Sequence, residues 1–414
     1  MRTTVTGKQG PDLLIGSVDG STFIYNTDGN WLAGSQLRIS GDPGHPGPDT
    51  HFSIAGMEAS ADIFQGDPAS FDVLRMGDGQ KVLFLDSSAP AAAPGPRLVN
   101  IDEIIGGSGG QVIDLTTPNF TYGNVTILGG SGNDVLASNA GNDFVKGGLG
   151  NDYVWGGSGN DTLWGGERAD KILGADGNDK LAGQNGDDRL QGGAGDDTLS
   201  GGAGADGLNG GEGNDILVGS LGADTMFGAG GNDTLYGGSG SDFYYGGLGA
   251  DTYVSVPGQA ANVFGLVREP GVVDTVIGFD VLHGDKLQFQ LTNFGLAVPG
   301  ATSTIAGDHT VIGSGSGIAM AQYSATANAN GTFDLNSISL NADAVVLASG
   351  PVTATTATAA HQQFVYSEVS GVGTLYFDAD GSGAGAAEAI MSFTAPILSG
   401  NHELQASDFL LLAR

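Results

Sequence analysis

The sequence predicts an all-β protein organised around a parallel β-roll, a two-sheeted solenoid flanked by small β-rich N- and C-terminal domains. Three observations carry that prediction: a nine-residue pattern repeated without a gap over residues 129 to 254, a glycine count of 75 in 414 residues, and hydrophobic residues at 40% of the chain. Glycine stands at about two and a half times its average frequency, yet the apolar fraction suffices to bury a core, so the chain is glycine-rich and folded.

From Gly129 to Val254 the chain divides into fourteen nonapeptides, from GGSGNDVLA, SNAGNDFVK and GGLGNDYVW down to GGLGADTYV. Position six is aspartate every time: Asp134, Asp143, Asp152, Asp161, Asp170, Asp179, Asp188, Asp197, Asp206, Asp215, Asp224, Asp233, Asp242 and Asp251. Position one is glycine in 13 of 14, with Ser138 the exception, and position four in 13 of 14, with Arg168 the exception. Position eight is always apolar, from Leu136 and Val145 to Tyr253. Glycines one, two and four are expected to supply positive φ and a tight turn whose carbonyl oxygens face inward. Residues six to nine should then extend, six and eight pointing to one side and seven and nine to the other. Each aspartate thus faces inward beside its apolar partner.

A strand of three or four residues is not stable alone, but stacked copies bury a continuous apolar row. Two nonapeptides per coil give about seven coils, roughly 30 to 35 Å of array at about 4.8 Å per strand. Repeats n and n+2 then lie above one another, and the carboxylates form two columns. At roughly 5 Å spacing and an effective dielectric near 20, neighbouring unit charges repel by about 3 kcal/mol, so the roll should need a counterion to close. Carboxylates and turn carbonyls are hard oxygen donors at flexible distances, which suit Ca²⁺ better than Zn²⁺ or Mg²⁺. The count allows up to about twelve inter-turn sites.

The nonapeptides resemble the GGxGxDxUx repeats of the RTX, or hemolysin-type calcium-binding, family. The match covers about 30% of the chain, and a Gly/Asp-rich flexible linker would not hold register fourteen times. The resemblance implies multiple bound Ca²⁺, the fourteen aspartates as metal ligands, and export unfolded through a bacterial type I secretion machinery. It places the protein outside the cell or on its surface, folding as it meets millimolar Ca²⁺. Ser407 to Leu412 (SDFLLL) is similar to the uncleaved C-terminal signals of such proteins, although Ala413 and Arg414 extend past the usual ending. Departures from the pattern, Arg168 with Ala169 and Ser138 with Asn139, are expected to distort their turns.

The flanks divide at composition changes. Residues 1–105 form a β-rich N-terminal domain with strand-like runs at Thr22 to Tyr25 and Lys81 to Asp86, Pro-rich loops, and an isolated degenerate repeat, Gly7 to Ile15, that keeps Asp12 and Leu14. Residues 106–128 are a transition and capping segment in which Gln111 replaces the ligand aspartate. After the roll at 129–254 come a closing β segment at 255–350, a linker at 351–360 and a C-terminal β-cap at 361–414 carrying the secretion signal. Asp274, Asp280 and Asp285 sit at turn positions of the closing segment, as calcium ligands or as solvated carboxylates. Asp378, Asp380, Ser382 and Gly383 match half of an EF-hand loop, but position twelve is Ala389 and no helix leads in, which favours a tight hairpin turn.

Charge and motifs exclude further classes. With 46 acidic against 14 basic residues and a net charge of −32, the chain repels nucleic acid and anionic lipid. Without cysteine it has neither disulfides nor a thiol nucleophile. No run of apolar residues is long enough to span a membrane, and Met1 to Gly16 lacks a signal-peptide apolar region; alone this reads as cytosolic, a default that the RTX resemblance overturns. The six histidines, His45, His51, His283, His309, His361 and His402, form no HExxH motif. The one GxSxG match, Gly106 to Gly110 with Ser108, is better explained as a repeat turn than as a nucleophile elbow. A structural, adhesive or surface-layer role without catalysis follows. The alternative is an RTX-linked hydrolase or toxin subunit whose site lies in the N-terminal domain, where Asp42, His45, Asp49 and His51 are the candidates. Outward aromatics, Phe144, Tyr153, Trp155 and Trp164 at one end and Phe227, Tyr236, Phe243 and Tyr245 at the other, should pack either under flanking domains or between protomers of an assembly.

Overall fold

A computed structural model describes residues 103–116 and 121–290, together with the segments 3–6, 13–15, 21–25, 63–65, 73–76, 81–84, 98–99, 323–324, 339–340, 345–348, 363–369, 372–378, 387–394 and 408–412. The chain forms two compact units, Met1–Gly211 and Glu212–Arg414. Among the described residues the only helical element is one 3₁₀ turn, Val281–His283.

In the first unit the repeat builds six-residue strands, such as Phe144–Leu149, Tyr153–Ser158, Thr162–Glu167 and Lys171–Asp176. Each takes positions seven to nine of one repeat and one to three of the next. They are longer than the sequence suggests because the glycine turn itself joins the ladder, with Gly148 opposite Gly166. Alternate strands pair in parallel with an offset of eighteen residues, Phe144 with Thr162 on one face and Tyr153 with Lys171 on the other. This is the two-sheeted parallel roll. Side chains at position eight, from Leu136 and Val145 through Leu163 to Leu199, are at most 2% exposed. Each such burial is worth about 1.5–3 kcal/mol before chain entropy is charged against it.

The ladders continue upstream of the repeats. Glu103–Ile105 pairs with Thr126–Ser131, and Gln111–Asp114 with Val135–Ala137. Beyond them Val73–Met76, Ser21–Tyr25 and Thr3–Thr6 follow in parallel on one ladder, and Lys81–Phe84 on the other. A third parallel ladder joins Leu13–Ile15, Ile63–Gln65 and Leu98–Val99. Gln111 thus takes the aspartate's place in register, but the sheet does not end there as a cap would require.

In the second unit Ile216–Leu221, Thr234–Ser239, Thr252–Val254, Asp274–Ile277 and Glu388–Phe393 form one parallel ladder. Thr225–Gly230, Phe243–Leu248, Val263–Leu266, Lys286–Gln290 and Phe409–Leu412 form the other. The C-terminal strands therefore extend the ladders of this unit, and Val372–Asp378 and Gln363–Val369 add to them as an antiparallel meander. Here position eight turns aromatic. Tyr244 stacks on Phe264 at 4.8 Å, and Phe264, Phe279 and Phe393 follow one another at 5.4 Å, filling the core where aliphatic residues stop.

The turns correct one expectation. Positive φ falls at positions two and four, as at Gly148 (119°) and Gly150 (147°), and not at position one. Glycine is needed at position one for space: a Cβ on Gly156 would collide with the carboxylate of Asp161 and crowd the carbonyl of Gly174. Arg168 keeps its turn at φ 79° and still donates its N–H to Asn185 O at 2.5 Å, so it strains the turn rather than opening it. At Ser138 and Asn139 the strand does shorten, to Val135–Ala137.

Candidate metal centre

Each nonapeptide aspartate is buried, at 1–3% exposure, at the mouth of the glycine turn. Register sets each one above its equivalent in the next coil. The Asp134 N–H donates to Asp152 Oδ1 at 2.8 Å, Asp152 to Asp170 and Asp170 to Asp188 at 2.7 Å. The other column repeats this: Asp143 to Asp161 at 2.8 Å, then Asp161 to Asp179 and Asp179 to Asp197 at 2.7 Å. In the second unit Asp215 donates to Asp233, Asp233 to Asp251, and Asp224 to Asp242 at 2.8 to 3.0 Å. One carboxylate oxygen is thereby satisfied by a backbone N–H.

The other oxygen has no such donor. Oδ2 of Asp134, Asp152, Asp161, Asp170, Asp179, Asp188 and Asp233 is buried and accepts no hydrogen bond. An ionised oxygen left this way costs several kcal/mol, which either a proton or a cation must offset. Burial, the main cause, pushes these carboxyls up from 3.8: Asp134 to about 7, Asp161 and Asp170 to about 8, and Asp152, Asp179 and Asp233 to about 6. The backbone N–H bonds pull the other way, and the neighbouring aspartate adds to the rise at Asp134, Asp161, Asp170 and Asp233.

In the regular repeats the space beside Oδ2 is bounded by the position-one glycine of the same repeat and, two repeats on, by a glycine carbonyl. Around Gly174 these neighbours are the Asp179 carboxylate and Gly192 O; around Gly219 they are the Asp224 carboxylate and Gly237 O. Among the described residues no three His, Asp or Glu side chains converge. The donor set is therefore one carboxylate per turn supplemented by main-chain carbonyls, all oxygen, with an excess of negative charge. A hard divalent cation such as Ca²⁺ fits it; Zn²⁺, which wants nitrogen or sulfur, does not.

The turn carboxylates downstream behave differently. Asp285 accepts from the Asn262 N–H through Oδ1 and from the Asp280 N–H through Oδ2, both at 2.8 Å. Asp280 accepts from the N–H groups of Leu282 and Gly258 and pairs with His283 at 2.7 Å. Asp274 accepts from the Asp251 N–H and the Tyr253 hydroxyl. These carboxylates are served by protein donors, as loop anchors. Sequence reasoning missed that Asn262 and Asp274 continue the columns, because longer loops break the nine-residue spacing. It also missed a second ladder at position five, where the Asn160 N–H donates to Asn142 Oδ1 and Asn178 to Asn160, on the exposed side of the turn.

Ser108 lies on an exposed repeat turn, bridged to Ser131 and followed by the strand Gln111–Asp114 rather than by a helix, so the elbow geometry is absent. Asp380, Ser382 and Gly383, and likewise Asp42, His45, Asp49 and His51, lie outside the described residues. No helix among the described residues is long and apolar enough to cross a membrane.

A parallel roll with buried aspartate columns and oxygen-lined turns defines a class, the cation-binding β-solenoid. The family model described as the RTX calcium-binding nonapeptide repeat (4 copies) matches residues 121–145, 128–163, 155–190, 182–217 and 218–253. The chain carries RTX calcium-binding repeats from residue 121 to residue 253, and such repeats bind Ca²⁺ and belong to proteins that are generally secreted or surface-associated. No curated protein matches the chain.

Proposed function

We propose that the chain is a secreted calcium-binding β-roll protein that folds on meeting extracellular Ca²⁺ and serves a structural, adhesive or surface-layer role without catalysis. The observation that carries this reading is the row of buried Oδ2 atoms that accept no hydrogen bond. The ligands are drawn from the fourteen position-six aspartates, with turn carbonyls completing each filled shell. Inside a cell, scarce Ca²⁺ leaves the columns repelling and the chain loose, which suits type I export. Outside, millimolar Ca²⁺ fills weak sites and stabilises the fold by mass action. Limited proteolysis with and without calcium tests this: residues 129 to 254 should resist cleavage in calcium and be cut throughout in chelator.

Assembly is the finer part of the proposal. Phe227 and Tyr236 are 39% and 41% exposed, and Leu221 and Leu248 60%, so no described segment covers them. Phe144 and Trp164 meet edge to face at 5.1 Å, with Lys146 over the indole. Electron microscopy with and without calcium should show ordered arrays or filaments only in calcium. Replacing Trp155 and Trp164 by Ser should disperse them if that patch lies between protomers.

A further inference from the structure

Three repeats place a hydroxyl at the mouth of the glycine turn, beside the aspartate cradle. In the second repeat, Ser138 stands at position one, fully buried, and its Oγ donates to Gly156 O at 2.6 Å and lies 3.3 Å from Trp155 O. In the thirteenth, Tyr244 reaches from position eight and its hydroxyl donates to Val254 O at 3.2 Å. In the fourteenth, the Tyr253 hydroxyl accepts from the Gly246 N–H at 3.0 Å and lies 3.5 Å from Gly265 O and 3.3 Å from Asp274 Oδ2.

The three oxygens occupy equivalent points. Trp155, Val254 and Gly265 each hold position nine, or its ladder equivalent, one repeat on, just before the turn two repeats on, so all three hydroxyls approach main-chain carbonyls at the entry to that turn. The surroundings of the glycines say the same. A Cβ on Gly228 would meet the carboxylate of Asp233 and the carbonyl of Gly246, whereas on Gly237 it would meet the carboxylate of Asp242 and the hydroxyl of Tyr244. At Gly237 the phenol oxygen therefore stands inside the cradle, beside the Asp242 carboxylate. The Ser138 hydroxyl donates its one proton to Gly156 O and the Tyr244 hydroxyl to Val254 O, the Tyr253 proton goes to Asp274 Oδ2 as the nearer acceptor, and the bulk of each group fills the space.

We propose that the hydroxyls of Ser138, Tyr244 and Tyr253 close their cradles to calcium, so that the repeats of Asp143, Asp242 and Asp251 hold no ion. This deepens the calcium reading and rests on it. The number of bound ions then falls short of the number that repeat counting gives, and these three residues set the shortfall. Tyr253 also gives Asp274 a proton donor, so the column passes from an ion-filled to a hydrogen-bonded form where the nine-residue spacing ends.

Calcium bound per chain, measured by elemental analysis after equilibrium dialysis in millimolar Ca²⁺, tests the proposal. Ser138→Gly restores the regular position-one residue and should raise the count by one. Tyr244→Leu with Tyr253→Leu, which restores the regular position-eight residue, should raise it by two. Should the double variant fail to fold by circular dichroism, Ser138→Gly and the single variant Tyr253→Phe, which keeps the ring and removes only the hydroxyl, still decide. Unchanged or lowered counts in folded variants overturn the closed cradles and leave the calcium reading standing. A wild-type chain that binds no calcium overturns both.

Discussion

At the scale of the residue, one aspartate does two separable jobs. Oδ1 of Asp161 accepts the Asp143 N–H, while Oδ2 has only the glycine cradle beside it. Asp161→Asn keeps an acceptor for that N–H and removes the buried charge. In chelator, this variant should therefore retain more β signal than the wild type, and in millimolar calcium it should be less stable to denaturant; more β signal in chelator together with greater stability in calcium would show that the carboxylate has no metal role. Asp161→Ala removes the acceptor as well and should cost a further amount of about 1–3 kcal/mol in calcium, for a buried N–H left without a partner. Position one offers a steric counterpart. Gly165→Ala would drive a Cβ into the Asp170 carboxylate. Overpacking of that kind typically costs about 1–3 kcal/mol, and calcium should recover none of it.

At the scale of the strand and turn, the columns couple folding to protons. Folded-state values of about 6 to 8 at Asp134, Asp152, Asp161, Asp170 and Asp251 stand above 3.8, so the calcium-free roll binds more protons than its unfolded chain. Stability from this source is fully present below about pH 4 and is lost as pH rises through 6 to 8. In chelator, the denaturation midpoint should fall between pH 5 and pH 8. Calcium affinity should run the other way and rise with pH, because at Asp134, Asp152, Asp161 and Asp170 the ion displaces those protons. The strand pattern, the inward face and all fourteen aspartates were legible in the sequence, because a period of nine with apolar residues at position eight admits only one register. The remainder was not legible for a physical reason. Asn262, Asp274 and Asp285 follow loops that lengthen the offset to 20 and 23 residues, so no periodic signal reaches them. Likewise, that position one needs space rather than positive φ depends on where the carboxylate above it points, which no single repeat encodes.

At the scale of the whole chain, the composition follows from the repeat. Nineteen acidic and five basic residues fall within 129 to 254, a net of fourteen negative charges on a segment without a disulfide. About seven divalent ions cancel that charge, fewer than the sites available by count, so a partly filled array is already electrically balanced. The charge of −32 belongs to the calcium-free chain, and in the proposed function calcium takes the stabilising role that disulfides hold in many extracellular proteins. The most direct test is a calcium titration of the full-length chain at pH 7.5, followed by far-ultraviolet circular dichroism from excess chelator to millimolar Ca²⁺. The β signal should be largely absent in chelator and appear cooperatively as calcium is added. A full β signal in excess chelator, unchanged by calcium, would contradict the account.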